Sequence, residues 1–207
     1  KTEGTNSQFS EFTKATNYTT TAERDVDWEQ IKTQVAPGTP KPADSILQAG
    51  SLIFLPPNHK VPLNDINQWW KWKIGANWRH PDGPDSDIVD RMNHPVVHVA
   101  YEDALAYCKW SGKRLPTEAE WEYASRGGVE NTRFAWGNLD PIKDNSSRIQ
   151  LTNIWQGEFP YVNTLEDGYY GTAPAGQYPP NNFGLYDMAG NVWELCSDLY
   201  AVNYYDQ

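Results

Sequence analysis

The chain has 207 residues, enough for one large domain or two small ones, and its formal net charge is −10. Its 17 Lys and Arg are outnumbered by 27 Asp and Glu, which disfavours nucleic acid as a partner because phosphate binding needs clustered cations. No apolar run approaches the ~20 residues of a membrane span, and no signal peptide is visible. We therefore expect no nucleic-acid partner and no membrane span, and a surface that suits cation sites.

The composition predicts a core made of aromatic side chains. Hydrophobic residues are only 39% of the chain, yet it holds 10 Trp and 12 Tyr. Each buried aromatic removes a large area from water, so a few of them can build a core. The 15 Gly and 15 Pro predict many turns and little regular structure. We expect a loop-rich fold, and no boundary divides residues 1–207.

The first predicted helix covers residues 6–16. Phe9, Phe12 and Ala15 share one face of it, and Asn6 is a candidate N-cap.

An irregular, proline-rich excursion is predicted over residues 36–64. Residues 52–55 (Leu-Ile-Phe-Leu) lie inside it and need packing partners. The Trp69, Trp70 and Trp72 rings that follow are predicted to be core or groove wall.

Residues 94–100 are predicted as a short apolar strand that leads into a helix over residues 101–110. Gly112 is expected to end this helix in the left-handed conformation. The side chains predicted to face inward are Tyr101, Ala104, Leu105 and Cys108.

A second helix follows at Thr117, where Thr117 and Glu120 form a capping box. It is predicted to run toward Gly127 and Gly128, and from Phe134 onward no helical period remains.

Two oxygen-rich segments suggest a cation site. Calcium prefers six to eight hard oxygens from carboxylates, amides and backbone carbonyls. Asn153-Ile154 and residues 166–169, where Asp167 is followed by Gly168, could supply such oxygens. The alternative is an ordinary Asp-Gly turn with Asn153 as a loop cap.

A second cluster lies within one loop, at Asp187, Gly190, Val192 and Glu194. Its offsets of three, five and seven resemble the close ligand spacing of calcium loops, although the acidic pattern of an EF-hand is missing. The alternative here is a surface turn followed by a buried Trp193.

Other chemistry-bearing residues form no motif. The four His show no helical i, i+4 pair, and no Gly-x-Ser-x-Gly segment exists. Cys108 and Cys196 lack the spacing of a structural zinc site. They could pair with each other, stay free, or pair outside this chain. Sequons occur at Asn17 and Asn145.

Several segments together resemble the formylglycine-generating enzyme (sulfatase-modifying factor) family. The motifs are Asn6-Ser-Gln-Phe-Ser-Glu-Phe12, Gly75-Ala-Asn-Trp-Arg-His-Pro81, Lys113-Arg-Leu-Pro-Thr-Glu-Ala-Glu-Trp-Glu-Tyr123, Asn153-Ile-Trp-Gln-Gly-Glu-Phe-Pro160 and Phe183-Gly-Leu-Tyr-Asp-Met-Ala-Gly-Asn-Val-Trp-Glu-Leu-Cys-Ser-Asp198. The resemblance covers nearly the whole chain. It implies a loop-rich α+β fold of low regular secondary structure, related to C-type lectins. It also implies that residues 1–207 are a single sulfatase-modifying-factor domain that lacks the family's C-terminal portion.

The resemblance implies two bound calcium ions. The first would be held by Asn153, the Ile154 carbonyl, Asp167 and the Tyr169 carbonyl. The second would be held by Asp187, the Gly190 and Val192 carbonyls, and Glu194. Asp187 stands where some relatives have Asn, which adds negative charge to the site.

The implied substrate side is the loop at residues 75–86. There we expect Trp78 to line a peptide groove, with Arg79 or Asp85 nearby. The alternative for Trp78 is a purely structural place in the core.

The implied activity is oxidation of a cysteine in a sulfatase Cys-x-Pro-x-Arg segment to Cα-formylglycine, with O₂ and with Cu(I) held by two thiolates. The partner would be an unfolded or nascent sulfatase polypeptide. The two copper-binding cysteines of the family lie beyond position 207, so no catalytic residue is expected in this chain. Cys108 matches a cysteine that forms a disulfide in the animal enzyme, whose companion is replaced here by Ser125.

Two alternatives remain open. The first is a non-catalytic paralogue that binds sulfatases or other peptides on the same calcium-stabilised fold. The second is lectin-like ligand binding, which rests on fold analogy alone. A Cys pair beyond Gln207 would favour the oxidase. For the compartment we expect a secreted or periplasmic protein, with a cytoplasmic one as the alternative.

Overall fold

The computed structural model describes residues 1–138 and 151–199, a mixed α and β fold in which loops predominate. Within these ranges the helices are α1 (Asn6–Thr16), α2 (Trp28–Ile31), α3 (Tyr101–Trp110) and α4 (Glu118–Arg126), and the strands are β1 (Gly50–Phe54) and β2 (Trp70–Ile74). Short 3₁₀ turns lie at Thr21–Glu23, Asp44–Ile46, Ile66–Gln68 and Val89–Arg91. The predicted α+β, loop-rich class is confirmed. None of the helices in the described ranges is long and apolar enough to cross a membrane.

Helix α1 has the predicted bounds but a different cap. Thr5, not Asn6, is the N-cap, and it forms a capping box with Gln8. Asn6 is buried in the first turn, where its Nδ2 donates to the Arg91 carbonyl at 2.8 Å. Ala15 is exposed, so the buried face is narrower than predicted.

The core is aromatic, as the composition predicts. Phe9, Phe12 and Trp78 are each at most 3% exposed and form its centre. The Phe9 ring meets those of Phe12 and Trp78 edge to face, with centroids 5.3 and 5.2 Å apart, the geometry that aromatic quadrupoles favour. Tyr107 of α3 stacks on the Phe9 ring.

Helix α3 has the predicted bounds, and Ala104 and Cys108 of its predicted inward face are half-buried, but Tyr101 and Leu105 are wrong. Tyr101 and Leu105 are 38% and 42% exposed, whereas Ala106 and Tyr107 pack against the core. The fully buried residue is a carboxylate, Asp103, at 0% exposure.

Asp103 is buried because its oxygens accept hydrogen bonds from donors on two segments. Its Oδ1 accepts from the Tyr18 hydroxyl (3.0 Å) and from the backbone N–H of Thr21 (3.0 Å). Its Oδ2 accepts from the N–H of Ala100 (2.9 Å), which caps α3. Asp103 thereby ties the chain after α1 to the start of α3.

Residues 50–54 form a strand rather than part of an irregular excursion. Strand β1 pairs antiparallel with β2, with Leu52 opposite Trp72. Phe54 contacts the rings of Trp155 and Phe159, which gives the hairpin its packing partners. The strand predicted at residues 94–100 is wrong, because this segment forms only an isolated bridge from Pro95 to Thr5.

Helix α4 follows its prediction closely. The Thr117–Glu120 capping box is present, and Gly127 ends the helix with φ = 57°. Gly112 adopts the expected left-handed conformation after α3, with φ = 67°. The capping box therefore correctly predicted the start of α4, and the two glycines correctly predicted where α3 and α4 end.

Candidate metal centre

The first predicted ligand set is brought together around Asp167. The Asp167 carboxylate accepts from the N–H of Ile154 through Oδ2 and from the N–H of Tyr169 through Oδ1, both at 3.1 Å. Asp167 and Asn153 are 7% and 8% exposed. Gly168 provides the turn between Asp167 and Tyr169 with φ = 90°. Both chain segments of the predicted site therefore meet at one carboxylate.

Polar neighbours hold this arrangement in place. The Gln156 side chain accepts from the N–H of Asp167 at 2.7 Å. Burial and the charge of Asp167 raise the pKa of Tyr178, whose hydroxyl donates to the Asp167 carbonyl at 3.4 Å. Tyr178 thus stays a neutral donor beside the carboxylate.

The second predicted set lies on a loop with an unusual backbone. Asp187, Gly190 and Asn191 have φ values of 56°, 78° and 59°. Asn and Asp tolerate the left-handed region better than other non-glycine residues. Gly190 is required for a further reason: a Cβ there would lie 2.3 Å from both the Asn153 carbonyl oxygen and the Thr152 hydroxyl.

The two predicted ligand sets are neighbours, and they meet where Gly190 lies against Asn153 and Thr152. The N–H of Asn191 donates to the Asn153 carbonyl at 2.9 Å, and the Thr152 hydroxyl donates to the Ala189 carbonyl. The Asn153 amide donates to the Gly171 carbonyl (2.7 Å) and to the Asn191 side-chain oxygen (3.0 Å). The two ligand sets therefore share hydrogen bonds through Asn153 and Asn191.

Carboxylates crowd the second set. Glu194 accepts a hydrogen bond from the Trp121 indole N–H, and burial, with the charge of Asp187, raises the pKa of Glu194. Burial and then the charge of Asp187 raise the pKa of Glu3, which lies at the other end of the chain, to about 8. A bound cation would oppose this repulsion.

The residues of the second set fit a hard cation. Asp187 Oδ2 accepts from the N–H of Gly176 at 2.5 Å, but its Oδ1 is buried without a hydrogen-bond partner. Across residues 1–138 and 151–199, no three His, Cys, Asp or Glu side chains form a metal cage unaided. Backbone carbonyls would therefore have to complete each site, and Ca²⁺ accepts them.

The predicted substrate side needs a correction at Trp78. Its ring is 1% exposed and packs on Phe9, so it is a core residue and is not available to line a groove. The Arg79 guanidinium stacks over that ring at 4.2 Å and pairs with Glu23. Asp85 is exposed. A role in substrate binding remains a prediction for Arg79 and Asp85.

A cavity of about 300 Å³ lies elsewhere, between the end of α4 and residues 179–189. Arg126, Trp136 and Asp187 are among its lining residues, and none of the three predicted substrate-side residues is. Trp193, expected to be buried if the Asp187 loop were only a turn, is 95% exposed.

The two cysteines and one sequon can also be located. Cys108 and Cys196 are both half-buried free thiols, and burial raises the pKa of each. Asn17 is exposed at the C-cap of α1. The second sequon, at Asn145, lies outside the described residues.

The sequence did not indicate two residues that contact the candidate centre, Glu3 and Asn191. Asn191 Nδ2 donates to Glu3 Oε1 at 3.1 Å, and Asn191 Oδ1 accepts from the N–H of Ala173 at 2.8 Å. Its position directly after Gly190, where Asn can adopt positive φ, was the signal that could have indicated it. No local pattern indicated Glu3.

The loop-rich α+β fold and its carboxylate-rich loops define a class of domain, and similarity to known protein families identifies that class. The family described as "Sulfatase-modifying factor enzyme 1-like domain" matches residues 1–207. The chain therefore belongs to the formylglycine-generating enzyme (sulfatase-modifying factor) family.

Two curated relatives show the range of this family. The formylglycine-generating enzyme of Mycobacterium tuberculosis is 50% identical over 191 residues, covering 92% of this chain and 59% of its own. The inactive C-alpha-formylglycine-generating enzyme 2 of Bos taurus is 49% identical over 133 residues, covering 64% of this chain and 42% of its own. The chain thus spans less than two thirds of either relative.

A solved structure supports the fold. PvdO from Pseudomonas aeruginosa matches with a TM-score of 0.50 at 23% identity, covering 97% of this chain and 56% of that one. At this identity the similarity concerns the fold and says nothing of activity.

Proposed function

We propose that this chain is the calcium-binding portion of a copper-dependent oxidase. The enzyme would convert the cysteine of a sulfatase Cys-x-Pro-x-Arg segment to Cα-formylglycine with O₂. The observation that carries the proposal is the convergence of both implied calcium ligand sets in a chain of this family. Ile154 meets Asp167, and Asn153 meets the loop at Gly190.

The chain's own residues contribute binding and order to this activity. The carboxylates of Asp167, Asp187 and Glu194, with neighbouring carbonyls, would hold two calcium ions and fix the loops that follow α4. The proposed copper, when bound, would supply the one-electron chemistry that O₂ requires. Thiolates are its preferred ligands, and the pair that holds it is expected after Gln207, because Cys108 and Cys196 are not the family's copper ligands.

The proposed partner is an unfolded or nascent sulfatase polypeptide. A net charge of −10 favours a peptide that carries Arg, through charge-assisted contacts with carboxylates. Asp85 is exposed on the 75–86 loop and is the candidate for such a contact. The Arg79 guanidinium is already paired with Glu23, so it would position the loop rather than meet the substrate directly.

A second candidate function is peptide binding without catalysis. It is favoured by the 49% identity to the inactive bovine relative. The extent of the matches favours the oxidase, because the mycobacterial enzyme aligns with 92% of this chain and the inactive relative with 64%. Paired thiols downstream of Gln207 would decide between them.

The test is conversion of a synthetic Cys-x-Pro-x-Arg peptide, followed by mass spectrometry for the loss that accompanies thiol-to-aldehyde conversion. We expect no conversion by the 207-residue chain with copper and O₂. We expect conversion by the product of the complete reading frame under the same conditions. If that product contains a thiol pair after Gln207 and leaves the peptide unchanged, the oxidase proposal is wrong and peptide binding is the better account.

The matched control replaces both thiols of this chain, Cys108→Ser and Cys196→Ser, in the complete protein. Because neither is proposed to hold copper, the double variant should still convert the peptide. Loss of conversion with retained folding would instead assign one of these thiols to the reaction.

A further inference from the structure

The loop at residues 75–86, the proposed substrate side, has buried and exposed residues side by side near its end. Pro81 and Gly83 are buried, whereas Asp82 and Asp85 are exposed. An exposed carboxylate binds a partner better when the backbone that carries it is already fixed, because less freedom is then lost on binding. The value of Asp85 as a contact therefore depends on what fixes Pro81 and its neighbours.

The His98 ring bridges Pro81 and strand β1. Its Nε2 lies 2.8 Å from the Pro81 carbonyl oxygen, and its Nδ1 lies 2.8 Å from Ser51 Oγ. A carbonyl oxygen can only accept, so Nε2 carries the proton, and in a neutral ring Nδ1 then accepts from the Ser51 hydroxyl. The ring therefore joins the loop to β1 as one tautomer.

The backbone of His98 lies in the left-handed region, with φ = 56°. A residue other than glycine stays in this region only where the surrounding structure holds it there, and such residues cluster at functional sites. Burial lowers the pKa of His98, while the Pro81 carbonyl and the charge of Asp82 oppose this effect. The ring is thus a neutral donor at pH 7.

The other polar contacts of this part of the loop fix it to the protein less firmly. The Ser86 hydroxyl accepts from the N–H of Asp82 at 2.9 Å and donates to the Gly83 carbonyl at 2.7 Å, so both bonds stay within the loop. Arg91 pairs with Asp82 at 3.2 Å, but both side chains are exposed, and exposed ion pairs contribute little. Within the described ranges, the His98 ring is therefore the strongest polar contact between this part of the loop and the rest of the protein.

We propose that His98 is a positioning residue for the substrate: acting through Pro81, it holds Asp85 where the Arg of a Cys-x-Pro-x-Arg peptide meets it. This inference rests on the proposed function, which assigns the substrate side to residues 75–86. His98 itself touches neither the peptide nor the reacting atoms. Its loss should weaken peptide binding and leave the chemical step unchanged.

The first test compares two substitutions that each keep half of the contact, in the 207-residue chain. The amide of Gln reaches the Nε2 position and can donate to Pro81, whereas the shorter Asn reproduces only the Nδ1 position. We expect His98→Gln to keep the hydrogen-exchange protection of residues 77–86 and His98→Asn to reduce it about tenfold, the loss of one hydrogen bond. Asn adopts positive φ more readily than Gln, so the reverse order, or equal protection in the parent and His98→Asn, would show that only the backbone conformation matters and would overturn the proposal.

Two further measurements cover the case in which both variants lose protection. Imidazole ¹⁵N chemical shifts of the unsubstituted chain should show His98 as the Nε2–H tautomer at pH 7, and an Nδ1–H or charged ring would overturn the proposal. The matched control is His59→Asn, at an exposed histidine, which should protect residues 77–86 as the parent does.

The second test is peptide conversion by the complete protein. His98→Asn should raise KM for the Cys-x-Pro-x-Arg peptide about tenfold and leave kcat unchanged, the pattern of lost uniform binding. Asp85→Asn should raise KM similarly, and the double variant should add little to either, because the two residues act on one contact. A fall in kcat at unchanged KM would assign His98 to the chemistry and overturn the proposal.

The outcomes also separate this inference from the proposed function. If the parent converts no peptide, both fail, and hydrogen exchange then reports His98 as a structural contact only. If the parent converts the peptide and His98→Asn leaves KM unchanged, the proposed function stands and only the role of His98 is wrong.

Discussion

The geometry of the candidate metal centre depends on single residues, and Gly190 is the clearest case. The absence of a side chain there lets the loop approach Asn153 and Thr152, where a Cβ would lie at 2.3 Å from both oxygens. One of those oxygens belongs to backbone and cannot rotate away. The approach therefore depends on glycine for space as well as for its positive φ.

Gly190→Ala is expected to destabilise the protein well beyond the cost of left-handed strain, which is about 1–2 kcal/mol. Gly112→Ala is the matched control, because Gly112 has similar φ but open space around its Cβ position. Urea unfolding of both variants provides the comparison. Equal losses would show that the loop can retreat from Asn153 at little cost.

At the scale of elements, one buried carboxylate, that of Asp103, connects the segment after α1 to the start of α3. Asp103→Ala would leave the N–H groups of Thr21 and Ala100 without their acceptor. We expect a loss of about 3–5 kcal/mol in the free energy of unfolding, the range for breaking a buried charged network.

The control for this prediction is Glu102→Ala, one residue earlier on the exposed face of α3. Chemical denaturation should show it within about 0.5 kcal/mol of the parent, as for most surface substitutions. Equal effects of the two substitutions would contradict the role assigned to Asp103.

Elements with signals inside a single turn were predicted well from sequence. The Thr117–Glu120 box and the glycines after α3 and α4 act over three or four residues, so they do not depend on distant contacts. Strand β1 was missed because its partner begins 16 residues after it ends, and proline surrounds it. The inward face of α3 was misplaced because its deepest residue is Asp103, whose charge normally indicates solvent.

The candidate site was also predictable only in part, because some of its contacts join residues that are far apart in the sequence. Proposed ligands that lie within a few residues of one another, such as Asp187 and Glu194, form a recognisable pattern in the sequence. The contact between Glu3 and Asn191 depends on folding that brings together residues far apart in the chain. Trp78 was predicted to line a groove because the sequence does not distinguish a buried Trp from an exposed one.

For the molecule as a whole, we expect calcium to be a major source of stability. The loops between residues 151 and 199 contain no helix or strand in the described ranges, so hydrogen bonds, the packing of Trp155 and Phe159 on Phe54, and the proposed ions are what order them. Calcium that binds only the folded state stabilises by mass action, about 2.7 kcal/mol at a hundredfold excess over Kd.

The measurement is the melting temperature with Ca²⁺ and with chelator, alongside elemental analysis for bound metal. Chelator should lower the melting temperature, and Asp167→Ala should reduce the difference because one site is lost. A protein without calcium whose melting does not respond to either addition would contradict this prediction.

The contact between Lys1 and the turn at residues 184–186 has a consequence for how the chain folds. The N–H of Tyr186 donates to the Lys1 carbonyl, and the Asn191 side chain donates to Glu3, so residues more than 180 positions apart must meet. Contacts of such long sequence separation form late and slow folding. In a refolding experiment, the segment at residues 1–5 is therefore expected to gain its order only after the loop at residues 184–191 has taken its place.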